Sequence, residues 1–253
     1  MILTQENYFS KEANMEYMSA SQFKAFNSCE AAALAELNGE YEREITTSLL
    51  VGSYVDAHFE KTLDLFKAQH PELFTRNGEL KAEYKHAEKI IERIERDELF
   101  MQFMSGKEQI ILTGEIDGVK FKIKMDNYHP GDKIVDRKIM KDFDPVWVEG
   151  KGKVNFIEAW GYDIQGAIYQ AIEGNNLPFF IAGATKEKTP DIEIFEIPQY
   201  YLDAAMEEVI QKSMRYQAIK QGIIEPERCG HCDYCKMTKV LTAPISMEEL
   251  DYE

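Results

Sequence analysis

The 253-residue chain has no run of apolar residues near the roughly 20 that a membrane-spanning helix requires. Its opening, MILTQENYFSKEA, lacks the basic stretch followed by an apolar one that marks a secretory leader. No internal repeat, low-complexity linker or Pro/Gly/Ser-rich hinge divides it. These absences lead to the expectation of a cytoplasmic protein with no membrane attachment, folded as a single domain over residues 1–253. Basic residues are a minority, 29 Lys and Arg against 45 Asp and Glu, for a formal charge of −16. That balance excludes a protein that coats nucleic acid through its whole surface, because nonspecific affinity comes from neutralising phosphates. Hydrophobic residues make up 44%, enough to bury a real core.

The charge is uneven. Between residues 119 and 153 there are nine Lys and Arg (120, 122, 124, 133, 137, 138, 141, 151, 153) and six Asp and Glu (126, 132, 136, 142, 144, 149), so this window is net positive. Lysines alternating along a strand can also simply form its wet face.

The periodicity changes along the chain. Apolar residues recur every three or four positions in SQFKAFNSCEAAALAEL, which Ser19 or Ser21 can cap, and helices are expected at 50–66 and 80–104 as well. From residue 109 the period becomes two. QIILTGEI, VKFKIKMD and KIVDRKIM, separated by Asp117-Gly118 and His129-Pro130-Gly131-Asp132, read as an antiparallel meander. A helix at 157–173, strands at 179–185 and 191–197, and a helix at 199–220 complete a mixed α/β (α+β) domain with a central sheet. The expected divisions are a helical lead-in (1–105), a core (106–200) and a C-terminal helix with a cysteine cluster (199–253).

In VKFKIKMD the apolar Val119, Phe121, Ile123 and Met125 alternate with Lys120, Lys122, Lys124 and Asp126, which places Asp126 on a face with three lysines. In the next strand Asp136 and Lys138 share a face, and the short intervening turn sets them near Asp126. Two carboxylates beside a lysine suit a Mg²⁺ or Mn²⁺ ion that activates water against a phosphodiester. Glu115, on the preceding strand, is a further candidate. A salt-bridge lattice on a hairpin is the bland reading of the same residues.

The pattern D-x(9)-D-x-K formed by Asp126 and Asp136-Arg137-Lys138, followed by a helix carrying Gln165-x-x-x-Tyr169, resembles the PD-(D/E)XK nuclease superfamily and its RecB-type branch. The resemblance implies a restriction-endonuclease-like central mixed sheet flanked by helices. It also implies a catalytic set of Asp126, Asp136, Lys138, Glu115, Gln165 and Tyr169. Where that branch carries G-x-x-x-H this chain has Gly52-x-x-x-Asp56, so Asp56 is the aligned metal ligand, with His58 two residues on as the other candidate. Two helical residues turn about 200°, so the two cannot face one site from a regular helix.

Four cysteines remain: Cys29, and Cys229, Cys232 and Cys235 in CGHCDYC. Four thiolates are the number that a tetrahedral Zn²⁺ or a [4Fe-4S] cluster takes, and His231 could substitute for a distant Cys29. SASQFKAFNSCE also resembles the opening of RecB-type nucleases in which one early and three late cysteines hold a [4Fe-4S] cluster. That likeness makes iron-sulfur the leading expectation and Zn²⁺ the alternative. The order of motifs is most similar to phage-type exonucleases related to the nuclease domain of RecE. These imply degradation of linear double-stranded DNA from its ends in recombination, a single-strand annealing protein as partner, and a homo-oligomer. A catalytically decayed DNA-binding or partner-docking protein is the alternative. The acidic tail MEELDYE reads equally as a partner contact or as a disordered end.

Overall fold

In the computed structural model, residues 1–148 and 150–247 are described; apart from Met247, the acidic tail lies outside them. The chain begins with α1 (Lys11–Glu16), α2 (Ala20–Ser28), α3 (Glu30–Asn38), α4 (Thr47–Phe59), α5 (Leu63–Gln69), α6 (Ala82–Glu95) and α7 (Glu98–Phe103). Strands β1 (Lys107–Ile116), β2 (Val119–His129) and β3 (Lys133–Met140) follow, then a small hairpin of β4 (Val146–Val148) and β5 (Gly152–Val154). Helices α8 (Phe156–Ala159) and α9 (Tyr162–Glu173), strands β6 (Phe179–Thr185) and β7 (Ile192–Ile197), and helices α10 (Gln199–Lys220) and α11 (Asp233–Met237) complete it.

The five-stranded sheet has the order β1-β2-β3-β6-β7. Asp117 and Gly118, at φ 47° and 78°, supply the left-handed pair that a two-residue hairpin turn needs between β1 and β2. β2 and β3 are antiparallel as expected, but β6 runs parallel to β3, from Ile134↔Phe179 to Met140↔Thr185, so the sheet is mixed. The connection between those parallel strands carries α9, as a parallel crossover requires. One face of the sheet packs under α2, α9 and α10 through Phe121, Ile123, Ile134, Ile168 and Phe179. The other packs against α4 and α6 through Val135, Ala182, Tyr54 and Ile90. Gly166 permits the close approach of α9, since a Cβ there would stand 2.6 Å from Phe179 Cδ1 and 2.9 Å from Leu202 Cδ2.

The expected long helices are broken at specific residues. The 21–37 segment divides at Cys29, whose extended backbone (φ −164°, ψ 109°) ends α2 and starts α3, while Ser19 caps α2 through Gln22 N. The 50–66 segment divides at Lys61 (φ 60°), the 80–104 segment at Asp97, which caps α7, and the 157–173 segment at Gly161 (φ 61°). Asp97 interrupts a helical period because its carboxylate accepts from Phe100 N, the competition with the helix ladder that short acidic side chains offer.

A second departure concerns Lys122, expected on a wet face but only 1% exposed. The N-terminal segment lies over that face. Lys122 Nζ donates to the carbonyl of Tyr8 and to Asn14 Oδ1, and burial lowers its pKa to about 8. Lys220, 5% exposed, donates to Tyr17 O at 2.9 Å and Gln22 Oε1 at 2.8 Å. Burial, with Lys122 nearby, lowers its pKa to about 7.

A lysine whose folded pKa lies below its unfolded value of about 10.5 gives the unfolded chain more bound protons between the two, so stability rises with pH across that window. Urea unfolding at pH 7 and pH 9 is expected to show this rise, and Lys220→Met to flatten it by on the order of 1–2 kcal/mol.

Candidate active site

The ladder of β2 is interrupted on both edges at Asp126. Toward β1 the register skips the Gln109–Asp126 position, and Gln109 sits at φ 55°, a strained conformation for a non-glycine residue. Toward β3 the pairing runs from His129↔Lys133 to Asn127↔Val135 and stops. The strands part there, and the freed backbone groups find side chains. Arg137 N donates to Asp126 Oδ2 (3.1 Å), Gln109 Nε2 donates to Asp126 Oδ1 (3.3 Å), and Tyr169 Oη donates to Lys124 O (3.0 Å).

Asp136 and Lys138 project toward the α9 layer. Gln165 Nε2 donates to Asp136 Oδ1 at 2.6 Å, while Lys138 Nζ lies 2.5 Å from Oδ2. Arg137 projects the other way, toward α4, where its Nε donates to Asp56 Oδ1 at 2.9 Å. The opened strand edge therefore gathers side chains from both helical layers. Asp56, Asp126, Asp136, Lys138, Gln165 and Tyr169 all line one cleft of about 310 Å³.

Burial pushes the Asp136 carboxyl up to about 6, even with Lys138 beside it. Burial alone would lower Lys138, but Asp136 and Asp126 outweigh it and hold the ammonium above its usual value. These directions keep the pair charged, with the Lys138 ammonium against the Asp136 carboxylate. Burial also raises Asp56, against the pull of Arg137.

Two expected residues lie elsewhere. Glu115 is exposed and pairs in register with Lys120, at the opposite end of the β1–β2 hairpin from Asp126. His58 turns away from the cleft to Glu95 Oε1 at 2.8 Å, as the 200° rotation from Asp56 requires. Glu60, Lys24 and Gln109 are among the cleft residues that were missed. Glu60 stands four residues beyond Asp56, at the C-terminal cap of α4, and burial raises its pKa. The i, i+4 spacing from Asp56 was the available signal. Lys24, on α2, also faces the cleft, and burial together with Lys138 lowers its pKa to about 8. Gln109 reaches Asp126 through its strained backbone, which no sequence pattern announces.

The carboxylates suit a hard divalent ion. Asp136 Oδ2 is buried against the Lys138 ammonium, and Mg²⁺ is commonly held by one or two carboxylates with the rest of its shell from water and substrate.

A second centre joins the ends of the described chain. Cys29 Sγ lies 3.6 Å from Cys235 Sγ, and all four cysteine sulfurs lie within 4.8 Å of one another. His231 is not needed in place of Cys29; its Nδ1 lies 3.0 Å from Cys229 O. Zn–S bonds of about 2.3 Å set tetrahedral sulfurs about 3.8 Å apart, so the group fits one ion. A cubane binds each thiolate through a different iron and spreads the four further.

Comparison with known proteins agrees with this geometry. Residues 19–238 match the model of the PDDEXK-like domain of unknown function (DUF3799), and the chain belongs to that family. A crystal structure from Eubacterium rectale, described as a "Putative exonuclease", is 52% identical over 97% of both chains, with a TM-score of 0.93. The structure of SSO0001, at 13% identity, 84% of this chain, 93% of that one and TM-score 0.34, is too distant to carry an argument. Comparison with curated proteins yields no significant match.

If the cysteines form a metal-bound staple, Cys29→Ser should release the ion and lower the thermal midpoint by several degrees, as loss of a closed loop of about 200 residues implies. Metal content and melting measured on the same preparation check both.

Proposed function

We propose that the chain is a Mg²⁺- or Mn²⁺-dependent exodeoxyribonuclease that hydrolyses phosphodiester bonds of linear duplex DNA. The observation that carries this reading is the meeting of Asp126, Asp136 and Lys138 where β2 and β3 part. Family membership and the description of the Eubacterium rectale structure as a "Putative exonuclease" support it.

Asp126 and Asp136 would hold the divalent ion, with Asp56 across the cleft as a third carboxylate. Bound there, the ion neutralises phosphate charge and lowers the pKa of attacking water. Gln165 fixes Asp136 Oδ1 and so presents Oδ2 to the cleft. Lys138, beside Asp136, stands where it can contact the water or a phosphate oxygen. Arg137 balances Asp56 and fixes Asp126 through its backbone N–H. Lys24 and Lys124 line the same cleft and supply positive charge for the DNA backbone.

The likeness to phage-type exonucleases extends the proposal to recombination, beside a single-strand annealing protein and in a homo-oligomer. For the cysteine centre the sulfur spacing favours Zn²⁺ over the [4Fe-4S] cluster expected from the motif. Among the described residues no helix is long and apolar enough to cross a membrane.

Incubation with end-labelled linear and closed circular duplex DNA tests the activity. Shortening of the linear DNA with Mg²⁺ or Mn²⁺, loss of it with chelator, and an intact circle are expected. Asp136→Asn should abolish cleavage while circular dichroism stays native; full activity in that variant, or no cleavage by the parent chain with either metal, would overturn the reading. Elemental analysis is expected to return one Zn²⁺ per chain; iron with sulfide would overturn the assignment of the cysteine centre.

A further inference from the structure

Phe9 is 70% exposed, which for a lone apolar side chain means little in itself. What distinguishes it is that its backbone is held in place. Thr4 N donates to Asn7 Oδ1 (2.7 Å), Asn7 Nδ2 to Ile2 O (3.0 Å) and Tyr8 N to Thr4 O (3.0 Å), closing the N-terminal residues into a turn. Asn14 Nδ2 donates to the carbonyl of Phe9 itself at 3.2 Å, and Gln5 Nε2 ties the turn to Gln109 O at 2.6 Å. Gln109 is the residue whose side chain reaches Asp126. The turn that displays Phe9 is therefore bolted to the strand that positions a catalytic carboxylate.

The ring has defined neighbours. Tyr8, 5% exposed, meets it edge to face with centroids 4.9 Å apart, and Lys124 Nζ lies 5.2 Å from its centroid. Phe9 lines the active cleft and also a groove of about 720 Å³; the two share Tyr8, Ser19 and Ser21. A fixed aromatic face beside a lysine, at the junction of a groove and a cleft, has the elements of a nucleobase platform: a π surface for the base and a cation for the adjoining phosphate.

We propose that Phe9 stacks on the nucleobase next to the phosphate that enters the cleft beside Asp126 and Asp136, so that the cleft takes a strand end. This rests on the nuclease reading above. A base inside an intact duplex has both faces covered by its neighbours, so a protein ring can stack on one only at an end, against the open face of a terminal base or on a nucleotide that is unpaired. Stacking is tolerant of sequence, because every base offers a π face. The substrate class for the site is thus a DNA strand end rather than an internal duplex segment.

The full chain carrying Asp136→Asn, with Mg²⁺, is titrated into a 12-nucleotide single-stranded DNA bearing 2-aminopurine near its terminus. Quenching of the fluorescence on binding is expected. Adding Phe9→Ala should remove the quench and weaken binding roughly 5- to 100-fold, and Phe9→Trp should restore both. Leu65→Ala, an exposed change on α5, should alter neither, and all variants should melt alike. An unchanged quench and affinity in Phe9→Ala, or no binding with Phe9 intact, would overturn the proposal. Cleavage by the parent chain is scored separately. Cleavage with no dependence of binding on Phe9 sinks the platform alone; Phe9-dependent binding without cleavage sinks the nuclease reading and leaves the platform standing.

Discussion

The parting of β2 from β3 after Asn127↔Val135 sets the terms for the rest of the structure. A buried strand edge left open would strand N–H and C=O groups, each costly without a partner. Here most of the partners are residues of the candidate site. The Arg137 N–H is taken by Asp126, the Lys124 carbonyl by Tyr169, and further along the edge Met18 pairs with β2 through Lys120 O and Lys122 N. Closing the sheet in the ordinary way would satisfy the backbone equally well and leave no cleft.

The same parting lets one tripeptide join two layers. Consecutive side chains on a strand point to opposite faces, so Asp136 and Lys138 meet α9 while Arg137 between them meets α4. Neither helical layer alone contains the site. Asp56 and Glu60 come from one side, Gln165 and Tyr169 from the other, and Lys24 from α2 above. The sheet edge is the place where all three can touch.

Much of this was legible in the sequence. Asp126, Asp136 and Lys138 lie on strands whose period-two alternation is strong, and Gln165 and Tyr169 share a helical face, so local geometry alone brought each pair together. The four cysteines were legible through their spacing. What escaped was set by tertiary contacts. Lys122 alternates like its neighbours, yet the N-terminal segment lies over it and supplies its acceptors. Glu115 lies on the right strand but at the wrong end, and strand identity without register could not reveal that. The helix breaks at Cys29 and Asp97 were hidden because apolar spacing continues across them. Cys29 leaves the helix to meet residues some 200 positions away, a contact no local window contains.

That long-range closure orders events during synthesis. Cys29 ends α2, the helix that carries Lys24 and begins at Ser19 and Ser21, all of which line the cleft. Its partner sulfurs belong to Cys229, Cys232 and Cys235, near the far end of the described fold. Domains generally fold as units. A chain interrupted before Cys229 has already made every carboxylate of the site and the α9 and α10 packing that holds α2 on the sheet, but not the sulfur contacts at the end of that helix. The helix that bounds the cleft thus gains its last tie only when the cysteine cluster is made.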